Sequence, residues 1–341
     1  MADHLLYPSD LNITGHGPFV VCVLGGESLR CQITGYGPLF RFLPRLREVS
    51  LSFRYQYYHH FVNGLSRLFF CDAVDLRRLK ISCPTDEIIM PGGLVVLGEA
   101  PGIPWTQLTE LCLSIYHSFE SALQILRLCP CLEACTISLR DHTAVPIVEM
   151  LTLPYIKSLT IYEISFPEDT ILNNLVAPSL VKLRLFLDDP GTFSRILSFL
   201  HRSEASLEVF WCINLFSYRD LYRTPGVEGF LEQVPTLLEI QTPILFPISV
   251  LQRVSRGELL PRLEIWRCGL LLDTVDAFID AVEARLVPEI SASQVLRKAC
   301  GRIFIEAGTS DVRGALQRME KVREEYGDDF KLLVLDDESL A

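Results

Sequence analysis

A six-residue phrase, with leucine or a close substitute at its first, fourth and sixth positions, returns along the chain and constrains the fold more than any other feature. The regular copies are Leu46/Val49/Leu51, Leu76/Leu79/Ile81, Leu108/Leu111/Leu113, Leu132/Cys135/Ile137, Ile156/Leu159/Ile161 and Leu180/Leu183/Leu185. Three looser copies keep the first and fourth positions, at Leu207/Phe210, Leu237/Ile240 and Leu263/Trp266. Successive starts lie 30, 32, 24, 24, 24, 27, 30 and 26 residues apart. The mean of about 27 falls in the range of stacked-repeat architectures. Each copy has the chemistry of a short parallel strand, its fourth and sixth residues turned to a core and its third, fifth and seventh turned out. A proline often stands two residues before the leading leucine, as at Pro44, Pro178 and Pro261.

Helical patterns fill the gaps. Phe193, Ile196, Leu197 and Leu200 share one face of a helix expected from about Thr192 to His201. Phe119, Leu123 and Leu126 form a second stripe, and Val275, Phe278, Ile279, Val282 and Leu286 the clearest one. Turn signals such as Asp188, Asp189, Pro190 and Gly191 separate the units. Strand, turn, helix, turn, repeated at this period, predicts an α/β leucine-rich-repeat-like solenoid. A helix is wider than a strand, so the stack bends, with a curved parallel sheet on its concave side and helices on its convex side.

The phrases with Leu43, Pro44 and Leu46, with Leu260, Pro261 and Leu263, and with Ala177, Pro178 and Leu180, together with the Phe193–Leu200 helix, resemble the degenerate repeat regions of F-box proteins, above all the expanded fungal sets. The resemblance covers about residues 41–290. It implies a substrate-recruiting repeat region of a ubiquitin ligase, with a protein partner on the concave face. No F-box is recognisable in residues 1–40: Tyr7, Pro8, Ser9, Asp10 and Leu11 are a faint echo of its opening, and Gly15, Gly17, Gly25 and Gly26 break any helix there. A Skp-type adaptor is therefore expected only if that module is cryptic or missing. The expected organisation is an N-terminal segment or cap at 1–40, the repeat array at 41–290, and a C-terminal cap with an acidic tail at 291–341. The first alternative is a repeat platform for assembly or regulation outside ubiquitin transfer; the second is an enzyme on another α/β fold.

Charge and composition narrow the functional classes. With Lys+Arg 31 against Asp+Glu 42, the 341-residue chain has a formal net charge of −11, which disfavours a nucleic-acid partner because phosphate contacts need a basic surface. The hydrophobic content of 49% supports an extensive core. Mean hydropathy is +0.27, yet Phe19–Leu24 and 93–97 are far shorter than the roughly 18 to 20 apolar residues that span a bilayer. Leucine, about one residue in six, supplies the excess over ordinary usage. The start at Met1 to His4 lacks a basic n-region. Eleven cysteines, an odd number, argue against a disulfide framework. The expected compartment is cytoplasmic or nuclear. Cys129, Cys131 and Cys135 make only half of a zinc site, and Cys135 occupies a core leucine slot, so these cysteines are expected to pack rather than ligate.

No enzyme or cofactor signature emerges. Gly25-Gly26 and Gly92-Gly93 lack the spaced glycines and lysine of a phosphate loop. His59 and His60 are adjacent and diverge, and the carboxylate pairs Asp188/Asp189 and Asp336/Asp337 sit in a turn and a tail. Partner binding is expected on the outward strand positions instead. There the basic pairs Arg78/Lys80 and Lys182/Arg184 interrupt an acidic background, with Thr160, Tyr162 and Phe186 in the same register. These seven residues are the candidate partner contacts, suited to an acidic or phosphorylated protein. In the later phrases a slip of one residue would exchange Phe210 with Trp211, and the register near Leu263 is equally open. Beyond Pro288, Ile303–Ile305 reads as a strand and Asp311–Tyr326 as a helix with Val312, Ala315, Leu316, Met319 and Val322 on one face.

Overall fold

Each of the nine phrases opens a strand two residues after its leading position in the computed structural model, which describes residues 19–24, 29–34, 47–52, 73–82, 103–139, 149–163, 171–187, 192–214, 226–286, 295–305 and 313–336. For five of the nine the physical cause lies in the residues just before. Leu132 N–H donates to Cys129 O at 3.3 Å, Ile156 to Leu153 at 3.4 Å, Leu180 to Ala177 at 3.2 Å, Leu237 to Val234 at 3.2 Å and Leu263 to Leu260 at 3.1 Å. Each is the closing bond of a four-residue turn. Its second residue is Pro130, Pro154, Pro178, Pro235 or Pro261, whose fixed φ suits that position. The proline thus delivers the buried leading residue to the core and starts the strand at a fixed offset.

The chain divides into two compact units, Met1–Leu175 and Val176–Ala341. The first holds β1 (Phe19–Leu24), β2 (Leu29–Thr34), β3 (Glu48–Ser52), β4 (Arg78–Ser82), β5 (Glu110–His117), α1 (Phe119–Arg127), β6 (Ala134–Leu139), the two-residue β7 (Leu151–Thr152) and β8 (Ser158–Glu163). Strands β3, β4, β5, β6 and β8 pair in parallel, with Glu48, Arg78, Glu110, Ala134 and Ser158 side by side. Strands β1 and β2 form an antiparallel hairpin that pairs with β3.

Another two-residue strand, β9 (Leu175–Val176), precedes the elements of the second unit: β10 (Lys182–Leu187), α2 (Thr192–Ser203), β11 (Val209–Asn214), α3 (Val227–Gln233), β12 (Glu239–Leu245), α4 (Ile248–Ser255), β13 (Ile265–Leu271), α5 (Val275–Leu286), β14 (Lys298–Ile305), α6 (Arg313–Tyr326) and β15 (Phe330–Asp336). Here β10 to β15 pair in chain order, all parallel. The architecture is α/β.

One backbone motif recurs in both units. The carbonyl of Arg47 accepts from Arg77 N (2.9 Å) and Arg78 N (3.0 Å), that of Arg77 from Thr109 and Glu110, and that of Thr109 from Glu133 and Ala134. In the second unit Val181, Glu208, Leu238 and Glu264 do the same for the next rung. Both lone pairs of one carbonyl are used, which locks neighbouring strands in register.

Inward strand residues and helix stripes form the core. Leu79, Ile81, Leu111, Leu113, Cys135, Ile137, Leu159 and Ile161 are buried in the first unit, and each large aliphatic side chain so placed contributes about 1.5 to 3 kcal/mol. In the second, Phe230 of α3 stacks 5.0 Å from Phe193 of α2 and 4.7 Å from Phe210 of β11. Trp266 of β13 meets Phe278 of α5 edge-on at 4.9 Å. Helix α1 shows how local chemistry agrees with this packing: Ser118 Oγ accepts from Ser121 N at 3.1 Å to cap it, Glu120 sits in its first turn and Arg127 in its last.

The expected helices at Phe119, Thr192 and Val275 are present, and α6 runs from Arg313 to Tyr326 with Met319 and Val322 buried. Ile303–Ile305 is the end of a longer strand, β14 from Lys298. Its first half has no leucine, so pairing with β13 rather than sequence pattern sets its start. The stretch after residue 291 adds two rungs, β14 and β15, to the parallel ladder. Among the described residues no helix is long and apolar enough to cross a membrane.

Candidate functional site

Most outward strand positions keep contact with solvent while their neighbours on the same strand are buried, Ser138, Thr160 and Cys300 being buried exceptions, so the outward face of each unit is its accessible array. On β4, Arg78 and Lys80 are exposed. Arg78 is not a free cation: its Nη1 lies 3.4 Å from Glu48 Oε2 and its Nε 3.2 Å from Glu110 Oε2, one carboxylate on each flanking strand. With more than half of the arginine exposed, the pairs contribute little to stability, yet they offset the charge a partner would meet. Lys80 has no carboxylate partner among the described residues. Tyr162 is half-exposed on β8. Thr160 has the expected outward parity, but its short side chain is only 7% exposed. That removes it as a ready contact. Strands β5 and β6 stand between the basic pair and Tyr162, a gap of about 14 Å at ordinary strand spacing.

In the second unit, β10 carries the other three candidates. Lys182 is exposed, and Arg184 and Phe186 are half-buried on the same face. The open register at Leu207 resolves in one direction: Phe210 is 0% exposed, and Trp211 faces out, its ring 3.9 Å from Arg184 Cζ. Likewise Trp266 is buried and Arg267 faces out. The guanidinium of Arg184 therefore rests on the indole of the adjacent strand, a cation–π contact that fixes its plane. Among the described residues neither Arg184 Nε nor Trp211 Nε1 has a hydrogen-bond partner. Further along, Arg267 Nη1 donates to Glu239 Oε1 at 2.9 Å and to Gln241 Oε1 at 3.0 Å. Lys298 pairs with Asp329, whose carboxyl it holds below the usual range by hydrogen bond and charge.

Sequence reasoning missed Trp211 as a definite member of this face, and Gln241, Arg267 and Lys331 altogether. The signal for Trp211 was its place as fifth residue of a phrase, masked by an adjacent aromatic of equal hydrophobic weight. The other three stand on strands whose phrases are loose or absent.

Two of the three clustered cysteines, Cys129 and Cys135, behave as core residues. Cys129 and Cys135 are buried; burial pushes the Cys129 thiol up to about 12, and Cys135 higher still. Metals are bound by thiolates, which such burial disfavours. Cys131 is exposed. Among the described residues no group of three or more His, Cys, Asp or Glu side chains could hold a metal ion. His59, His60, Gly25, Gly26, Gly92, Gly93, Asp188, Asp189 and Asp337 lie outside the described residues. No family model matches the chain, and no curated protein matches it.

Proposed function

We propose that the chain is a non-enzymatic protein-interaction scaffold of leucine-rich-repeat-like build, taking a protein partner on the concave strand face as the substrate-recruiting region of an F-box protein does. The observation that carries this reading is the register. Because every phrase starts its strand at the same offset and, within each unit, neighbouring strands pair first residue to first residue, equivalent outward side chains form rows that cross successive strands. Rows of half-exposed polar and aromatic side chains on a hydrogen-bonded sheet suit recognition of an extended or folded protein surface.

The test places a photo-crosslinking residue singly at Lys80 and Lys182 on the strand faces and at Gln124 and Gln252 on the exposed sides of helices. Adducts concentrated at the strand positions support the scaffold, and equal or helix-side labelling refutes it. Purified Skp-type adaptor then separates the versions. Stoichiometric co-elution supports a ligase receptor, and its absence alongside strand-face adducts supports an assembly or regulatory platform.

A further inference from the structure

The second unit carries one outward row with no carboxylate in it. Strand register places Arg184, Trp211, Gln241, Arg267, Cys300 and Lys331 in line across β10 to β15; Cys300 is only 4% exposed, so the accessible side chains of the row are the other five. Its three cations stand in a chain whose net charge is −11. They are spaced along the row rather than gathered at one point. Arg267 is offset by Glu239 in the adjacent row, whereas Lys182 and Arg184 have no carboxylate partner among the described residues. Arg184 is also the cation held flat by an aromatic ring.

Resting on the scaffold reading above, we infer that this row is the seat of an extended acidic peptide, rich in Asp and Glu, lying across the strands with one carboxylate on the stacked Arg184. A guanidinium already ordered by an indole loses less freedom when a carboxylate binds its open edge, and such paired bonds are stronger than neutral ones. The row spans about 24 Å from β10 to β15, which an extended peptide crosses with about seven residues. Arg184 and Arg267, three strands apart, are separated by about 14 Å, or about four residues of such a peptide. Single cations at these intervals match carboxylates strung along a chain. A phosphate dianion would instead call for several cations converging on one point.

The probe is a fluorescein-labelled peptide of about ten residues alternating Asp and Glu with Gly and Ser, long enough to cross the row. Its Asn/Gln counterpart and a neutral peptide bearing one phosphoserine serve as comparisons, all titrated into the full chain. Saturable anisotropy should come with a change in tryptophan emission, since Trp211 is the half-exposed indole while Trp105 and Trp266 are 6% and 0% exposed. The Asn/Gln peptide should give neither signal. Arg184→Gln should weaken binding by more than about tenfold and Arg184→Lys by several-fold, while Lys321→Gln, at an exposed position of α6, changes nothing. A cooperative melt confirms that each variant is folded, and Arg184→Lys serves should Arg184→Gln fail that check. The inference is overturned if the acidic peptide does not bind, if the folded Arg184 variants bind it as the unaltered chain does, or if only the phosphoserine peptide binds. Should any of these occur while crosslinks still gather on the strand faces, the partner chemistry falls and the scaffold stands; loss of the crosslink pattern removes the scaffold itself.

Discussion

Acid should destabilise this protein in part through His117, and replacing it should both raise stability at neutral pH and make the acid limb shallower. His117 ends β5 beside Leu139 of β6, is 0% exposed, and among the described residues has no hydrogen-bond partner at either ring nitrogen. Burial lowers its pKa from 6.5 to about 4. Between those values the unfolded chain takes up a proton that the folded chain refuses, so stability falls as pH drops below 6.5 and levels off once pH passes the folded value. The fall from 6.5 to about 4 is worth about 3 kcal/mol. At neutral pH the orphaned ring nitrogens themselves cost about 1 to 3 kcal/mol. His117→Leu, similar in volume and free of polar atoms, should therefore be the more stable protein at pH 7, and its advantage should grow steadily down to about pH 4. Urea unfolding followed by circular dichroism at half-unit pH steps measures the difference. Asp329, held low by Lys298, loses its own stabilisation in acid, but it contributes equally to both proteins and cancels. Parallel stability profiles of the two proteins across this range would refute the argument and require a proton acceptor or donor at the His117 ring.

Three further substitutions test the packing. Arg285, only 2% exposed, donates from Nη1 to Leu260 O (3.2 Å) and from Nη2 to Pro261 O (3.3 Å) and Leu263 O (3.2 Å), tying α5 to the turn that starts β13. Arg285→Ala should cost about 3 kcal/mol or more in chemical denaturation, because buried carbonyls lose their donors and a void remains; a loss under about 1 kcal/mol would show that water reaches them. At Gly301 an added Cβ would lie 2.5 Å from Leu270 Cδ1, 2.7 Å from Leu332 Cδ2 and 3.1 Å from Phe278 Cε1, so Gly301→Ala should lower stability by about 1 to 3 kcal/mol, and thermal melts that coincide with the parent would contradict it. Glu204, exposed beyond the end of α2, has φ 51° and Ala205 N bonds back to Leu200 O at 3.3 Å, the closing geometry that glycine prefers. Glu204→Gly should raise stability by a few tenths to about 1 kcal/mol, and a lower melting temperature would count against strain at this position.

Sequence alone determined where the strands of the nine phrases begin. A buried residue, proline, any residue and leucine form a turn through bonds between near neighbours, and the alternation that follows needs no distant partner to define which residues are apolar. For that reason strands β3 to β6, β8 and β10 to β13 and helices α1, α2 and α5 could be read directly, as could the basic pairs on β4 and β10. What only the tertiary structure decided depends on which strand lies beside which. Phe210 and Trp211 are alike in one dimension, and the ring cluster with Phe193 and Phe230 puts one inside while the guanidinium of Arg184 meets the other outside. The same holds for the glutamates that offset Arg78, the burial of Thr160 and His117, the three carbonyls around Arg285, and the acid-free row that gathers residues from six strands. Each is a relation between groups far apart in the chain, and a pattern of residue types along one strand carries no record of its neighbour's side chains.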